Sequence, residues 1–141
     1  MNKPSSLREA LQSIPYLAAN PDALHLFVDD GKVVSTGAPG LSWEYRYTLN
    51  LVVTDYSGDQ NLLIAVVLAW LATNQPDDLH NPDLREKLFR FQVDVLSNTL
   101  ADISIHLALT ERVLVTQSGD EAVVQAVPEP EVPDEYWTSH G

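Results

Sequence analysis

The chain has no cysteine, which excludes disulfides, thiolate metal sites and a cysteine nucleophile. Basic residues are scarce: 8 Lys and Arg stand against 20 Asp and Glu, a net charge of −12. The nearest thing to a basic cluster is Arg85, Lys87 and Arg90. Phosphate contacts need a basic patch, so the composition argues against nucleic-acid binding by the chain itself. Long apolar runs are missing too. The longest, Leu62 to Ala72, is eleven residues, against about 20 needed to span a bilayer. The first residues, MNKPSSLREALQSIP, lack the apolar core of a signal peptide. These absences point away from a secreted or membrane protein and suit the bacterial cytosol.

Motifs for chemistry are absent as well. His25, His80, His106 and His140 show neither HxxxH nor HExxH spacing, and no glycine-rich phosphate loop or G-x-S-x-G elbow occurs. His25 and His106 fall on the polar faces of predicted strands and read as surface residues. Asp55-Tyr56-Ser57-Gly58-Asp59 is faintly like a calcium loop but lacks the regular oxygen ligands and terminal Glu, so it reads as a turn and helix cap. Among 20 acids a carboxylate pair can always be found, and spacing alone identifies none as an acid–base pair. The expectation is therefore no catalytic residue, no cofactor, no metal and no enzyme activity.

What is present is a globular chain of 141 residues, 45% apolar, long enough for one core. Ser6-Leu7-Arg8-Glu9 has the form of a capping box and predicts a helix start, with Leu7, Leu11 and Ile14 on its apolar face and Pro15 kinking or ending it. Leu24 to Asp29 alternates as a strand; Asp29-Asp30-Gly31-Lys32 predicts a tight turn, and Val33 to Thr36 the returning arm of a hairpin. Gly37 to Gly40 reads as a loop. The next strand, Trp43 to about Val53, is oversized, on the order of 40 Å. Asp59 is placed to cap a helix from Gln60 to Asn74, which is apolar nearly all round and should be covered on two sides, by the sheet and by another helix or a neighbouring subunit. Phe89 to Val95 and Ile103 to Leu109 alternate as two strands joined by a turn at Ser97 to Ala101, the second running on towards Val115. Gly119-Asp120 turns into a short strand, Ala122 to Val127.

Beyond Val127 the composition changes. Residues 128–141, rich in Pro and acids without Lys or Arg, predict a flexible tail distinct from the domain of residues 1–127. Tyr136 and Trp137 within it are candidates for a short docking segment, the alternative being a solvated end that packs loosely on its own domain. Trp43, Tyr45 and Tyr47 on one side of the long strand either cover the first helix or form an aromatic contact surface on a neighbour. Asn98, Thr99 and Leu100, in the turn between the later strands, are paired with them as candidate subunit or tube contacts.

Three stretches carry a family resemblance: LHLFVDDGKVVSTG, LSWEYRYTLNLVVTDYSGDQNLLIAVVLAWLATNQPD and FQVDVLSNTLADISIHLALTERVLV. Together, over roughly residues 5–118, the chain resembles the tail completion protein R (GpR) family of contractile-tailed phages and their prophages. The most specific pieces are RYTLN followed by VTD and GD, AWL followed by NQPD, and DISI followed by LTERVLV. The resemblance implies a structural protein of the virion tail, assembled in the host cytoplasm. Such a protein caps the head-proximal end of the tail and prepares it for head joining, acting as a six-fold ring on the tail. Its implied partners are the tube or sheath protein, other completion or head–tail connector proteins and further copies of itself. Elements and resemblance together predict a single α+β domain, a mostly antiparallel twisted sheet of long hairpin strands packed against two main helices. The alternative function is an acidic, soluble binding module that inhibits or recruits a basic host protein.

Overall fold

The computed structural model describes residues 1–35, 41–118 and 121–128. One antiparallel sheet holds β1 (Leu24–Ser35), β2 (Trp43–Tyr56), β3 (Phe89–Val95), β4 (Ala101–Ser118) and β5 (Glu121–Val127), in the order β1-β2-β4-β3, with β5 also on β4. The helices are α1 (Lys3–Leu11), α2 (Pro15–Ala19), α3 (Gln60–Asn74), α4 (Pro76–Leu79) and α5 (Pro82–Leu88). This is the single α+β domain the sequence predicts.

Alternation sorts the sheet into two faces. In register, Leu24, Val53, Ile103 and Val93 form one row of the inner face, Leu26, Leu51 and Ile105 the next, then Leu49 with Leu107, and Tyr47 with Leu109. These side chains join Leu7, Leu11, Ile14 and Leu17 of the N-terminal segment and Leu63, Val67, Trp70 and Leu71 of α3 in one core. Among the described residues no element packs on the other face of the sheet. On α3 the buried residues recur at helical spacing, and Asp59 caps its start by accepting from the Asn61 N–H at 2.9 Å. The second cover expected for α3 is α1, joined to it by Trp70 Nε1–H donating to Ser6 Oγ at 3.0 Å. Its outer side remains exposed at Leu62 and Leu68.

Three local expectations are corrected. Asp29-Asp30-Gly31-Lys32 is not a hairpin turn: β1 runs straight through it, pairing with β2 from Leu24↔Val53 to Ser35↔Trp43. Between Asp29↔Thr48 and Lys32↔Arg46 one extra residue is accommodated as a bulge, with Asp30 at φ 51°. Turns and bulges both call for a left-handed residue, so Asp-Asp-Gly serves either. The true connection, through residues 36–40, lies outside the described residues. Second, Ser6 does not start α1; the helix begins at Lys3, and Ser6 is inside it. Third, Pro15 begins α2 rather than ending α1, at a position where its missing N–H costs no hydrogen bond.

The cap of α1 comes from across the fold. Glu111 Oε1, on β4, accepts from the N–H groups of Asn2 and Lys3 at 2.7 and 3.3 Å, while Glu111 Oε2 accepts from Tyr47 Oη–H at 2.6 Å. Beside it lies an opening in the sheet. β3 pairs with Ala101 to Leu107 of β4 and β5 with Arg112 to Ser118 on the same edge, leaving residues 108–111 without a strand there. Side chains fill the opening: Gln75 Oε1 accepts from Thr110 N–H at 3.3 Å, and Lys3 Nζ donates to Thr110 O at 2.6 Å. Gln75 also accepts from Lys3 Nζ at 2.7 Å and donates to Thr110 Oγ1 at 2.8 Å and to Asp78 Oδ2 at 3.2 Å.

At the other end of β2 a second bulge, with Asp55 at φ 51°, turns Tyr56 inward. Tyr56 Oη–H donates to Asp59 O at 2.9 Å, and its ring meets Tyr16 edge-on at 5.3 Å. Tyr16 Oη–H donates to the carbonyls of Thr54 and Asp55 at 3.1 and 2.6 Å. The Tyr56 ring lies over Gly58, where a Cβ would sit 2.7 Å from Tyr56 Oη.

These contacts generate three expected outcomes. Gly58→Ala should destabilise the fold by about 1–3 kcal/mol through overpacking, read as a lower Tm with unchanged far-UV circular dichroism. Glu111→Ala should destabilise by about 1–3 kcal/mol by orphaning the α1 donors and Tyr47, with faster amide exchange in α1; protection equal to wild type would contradict the cap. Tyr47 is held protonated well above its ordinary 10.0 by burial first, then by the hydrogen bond to Glu111 and its negative charge. The unfolded chain ionises this tyrosine near pH 10 while the fold does not, so stability declines as pH rises above about 10. Urea melts of Tyr47→Phe between about pH 9 and 11 should show a shallower decline than wild type.

Candidate interaction surfaces

The helix layer covers the sheet as far as the row of Tyr47 and Leu109. Beyond it, strands β1, β2, β4 and β5 run on past the main helix cover among the described residues, although Tyr45 still packs against the core and Val113 is only 8% exposed. Trp43 sits in this extension, paired with Ser35 and Val113. It is half-buried, meets Tyr45 edge-on at 5.8 Å and 87°, and encloses an Nε1–H with no hydrogen-bond partner. Ser42 fixes the entry to β2, its Oγ accepting from Val115 N–H at 3.1 Å. On the same side of the sheet Val33 and Val124 are exposed, Leu41 just before β2 is 77% exposed, and Leu114 and Val123 are exposed on the opposite side of the arm. Past Val113, β4 pairs with β5 alone. The two strands form an arm whose five residues beyond that point reach about 17 Å further.

Tyr47 does not belong to this surface. It is 5% exposed, and its hydroxyl is committed to Glu111. Alternation put it on the same side as Trp43 and Tyr45; the end of the helix layer is what separates them.

Asn98, Thr99 and Leu100 lie in the turn between β3 and β4, where Ser97 Oγ accepts from the N–H groups of Thr99 and Leu100 at 3.3 and 3.1 Å. Asn98 and Thr99 are exposed and Leu100 is half-buried. The turn adjoins Ala101, twelve rows along β4 from Val113, so it stands roughly 40 Å from Trp43. The two candidate patches occupy opposite ends of the sheet. Sequence reading missed the apolar neighbours that enlarge each: Val95, Leu96 and Phe91 beside the turn, and Val123 and Val124 on the arm. Tyr136 and Trp137 lie outside the described residues.

No arrangement suited to catalysis accompanies these surfaces among the described residues. An open groove of about 380 Å³ beside Tyr16, Asn20, Asp22 and Asp55 holds no nucleophile–base pair. Among the described residues no group of three or more His, Asp or Glu side chains is placed to hold a metal ion, and no helix is long and apolar enough to cross a membrane. On the open face His106, half-buried, donates from Nδ1–H to Asn50 Oδ1, its cross-strand partner, whose Nδ2 is enclosed without an acceptor.

Comparison with known proteins places this architecture. The chain is similar to tail completion protein R of Escherichia phage P2, at 47% identity over 135 residues, covering 95% of this chain and 87% of the relative. No solved structure gives a significant match. The family model described as P2 phage tail completion protein R (GpR) matches residues 1–131. With nearly the whole length matched, and with the bare arm, the β3–β4 turn and the long strands all inside that span, the chain belongs to the P2 phage tail completion protein R (GpR) family.

Proposed function

We propose that the protein completes a phage tail as a structural component, capping the head-proximal end of the tail and preparing it for head joining without catalysis. The observation that carries this reading is the pair of exposed apolar patches at opposite ends of one sheet, on a chain from a tail completion family. A contact between identical subunits that uses two different patches is head-to-tail, and such contacts close into a ring when the rotation permits. A six-fold ring would match its subunits to those of a tail tube or sheath. The arm of β4 and β5, with the Trp43 surface beside it, would seat on the next subunit or on the last tube ring, and the Ser97–Leu100 end would supply the complementary contact. Assembly would take place in the host cytoplasm, with the finished ring carried in the virion tail.

Apolar side chains at 45–77% exposure favour this reading over an isolated soluble module, because large exposed apolar patches mark interaction sites. The test is complementation of tails assembled without the wild-type protein. Trp43→Ala/Tyr45→Ala and, separately, Val124→Asp should leave the monomer folded by circular dichroism. Electron micrographs should then show irregular tail ends and headless tails, with infectivity lost. Normal tail length and full infectivity in both variants would overturn the proposal.

A further inference from the structure

The open face of the sheet concentrates positive charge in an acidic chain. Lys32, Arg46, Arg90 and Arg112 all project from it and all are exposed, half of the chain's 8 Lys and Arg. Lys32 belongs to this face because the bulge at Asp30 shifts the alternation of β1 by one residue. Asp94 and Asp102 oppose each other at the turn end of the face. Between the row of Arg90 and His106 and the row of Arg112, the acids of β1 and β2 are Asp29, Asp30 in the bulge and Glu44, and Glu44 lies 3.4 Å from Arg46.

The chain leaves the sheet beside this patch. Val127, the last residue of β5, pairs directly with Arg112. Pro128 has no N–H to extend the ladder. Straight ahead, the N–H and C=O of Thr110 are already held by Gln75 and Lys3. Towards the helices the next groups are the carboxylates of Glu111 and Asp78. Towards the open face they are Arg112, Arg46 and Lys32. The remaining residues, 129–141, carry Glu129, Glu131, Asp134 and Glu135 and no Lys or Arg.

We propose that this acidic C-terminal segment docks on the open face of its own chain's sheet, setting its carboxylates on Arg112, Arg46 and Lys32 and the Tyr136–Trp137 pair against Phe27. Phe27 is 52% exposed on the same face, three strands across from β5 and six rows along. That is on the order of 25 Å from Val127, and the chain from Val127 to Trp137 spans at most about 33 Å. Docked there, the segment covers the bare face and competes with any other acidic surface for it. The inference rests on charge and chain path and is independent of ring assembly.

A nitroxide on Ser139→Cys tests it in the full chain, where it would be the only thiol. In ¹⁵N-labelled protein the Arg46 and Arg112 side-chain Nε–H signals and the Phe27 amide should be lost to paramagnetic broadening, while the Nε–H signals of Arg8 and Arg85 on the helix side persist. They should return in 1 M salt, where the Debye length is about 3 Å, and in the Glu129→Gln/Glu131→Gln/Asp134→Asn/Glu135→Gln variant. Even broadening of all five arginines, or broadening of Arg8 and Arg85 instead, would overturn the proposal. So would the same losses in a mixture of nitroxide-bearing ¹⁴N chains with label-free ¹⁵N chains, which would assign the face to a second copy's segment.

Discussion

The outer edge of β4 must serve two strands at once, and the four residues between them have no strand to pair with. Buried against helices, an unpaired sheet edge would leave backbone donors and acceptors unsatisfied. Gln75 and Lys3 remove that penalty by bonding both polar groups of Thr110. Because Gln75 directly follows α3 and Lys3 opens α1, the same bonds set where both helices meet the sheet. Glu111, the next residue along, caps α1 and binds the hydroxyl of Tyr47. One stretch of strand thus locates both main helices and marks where the helix layer stops.

Where that layer stops, the sheet continues. Strands of 12, 14 and 18 residues exceed what this core covers, and the excess carries exposed Val and Leu side chains on both sides of the arm. An apolar extension is unfavourable in water; as the proposed contact surface it is already ordered, so docking there would lose little conformational entropy. The bulges contribute in a related way. Each adds a residue to one strand only, and the one at Asp30 changes which β1 side chains reach which face.

Much of this was legible in the residues. Strict alternation located β2, β3 and β4, and the apolar run after Asp59 located α3 to the residue. The capping box at Ser6 misled because a distant carboxylate, invisible to local pattern, reaches the helix start first. Asp-Asp-Gly misled because the conformation it supplies is shared by turns and bulges. Tyr47 read as a partner of Trp43 and Tyr45 because strand period reports a side, not how far along the strand the cover extends.

By itself, then, the sequence determined the kind of elements, their order, the family and the absence of a recognisable catalytic motif, since these depend on side-chain periodicity and local chemistry. Only the tertiary structure decided that β1 passes through its bulge, that Gln75, Lys3 and Glu111 converge on one gap, and that the candidate contacts stand at opposite ends of the sheet. Each of those depends on pairing between residues distant in the chain, whose register no local pattern encodes.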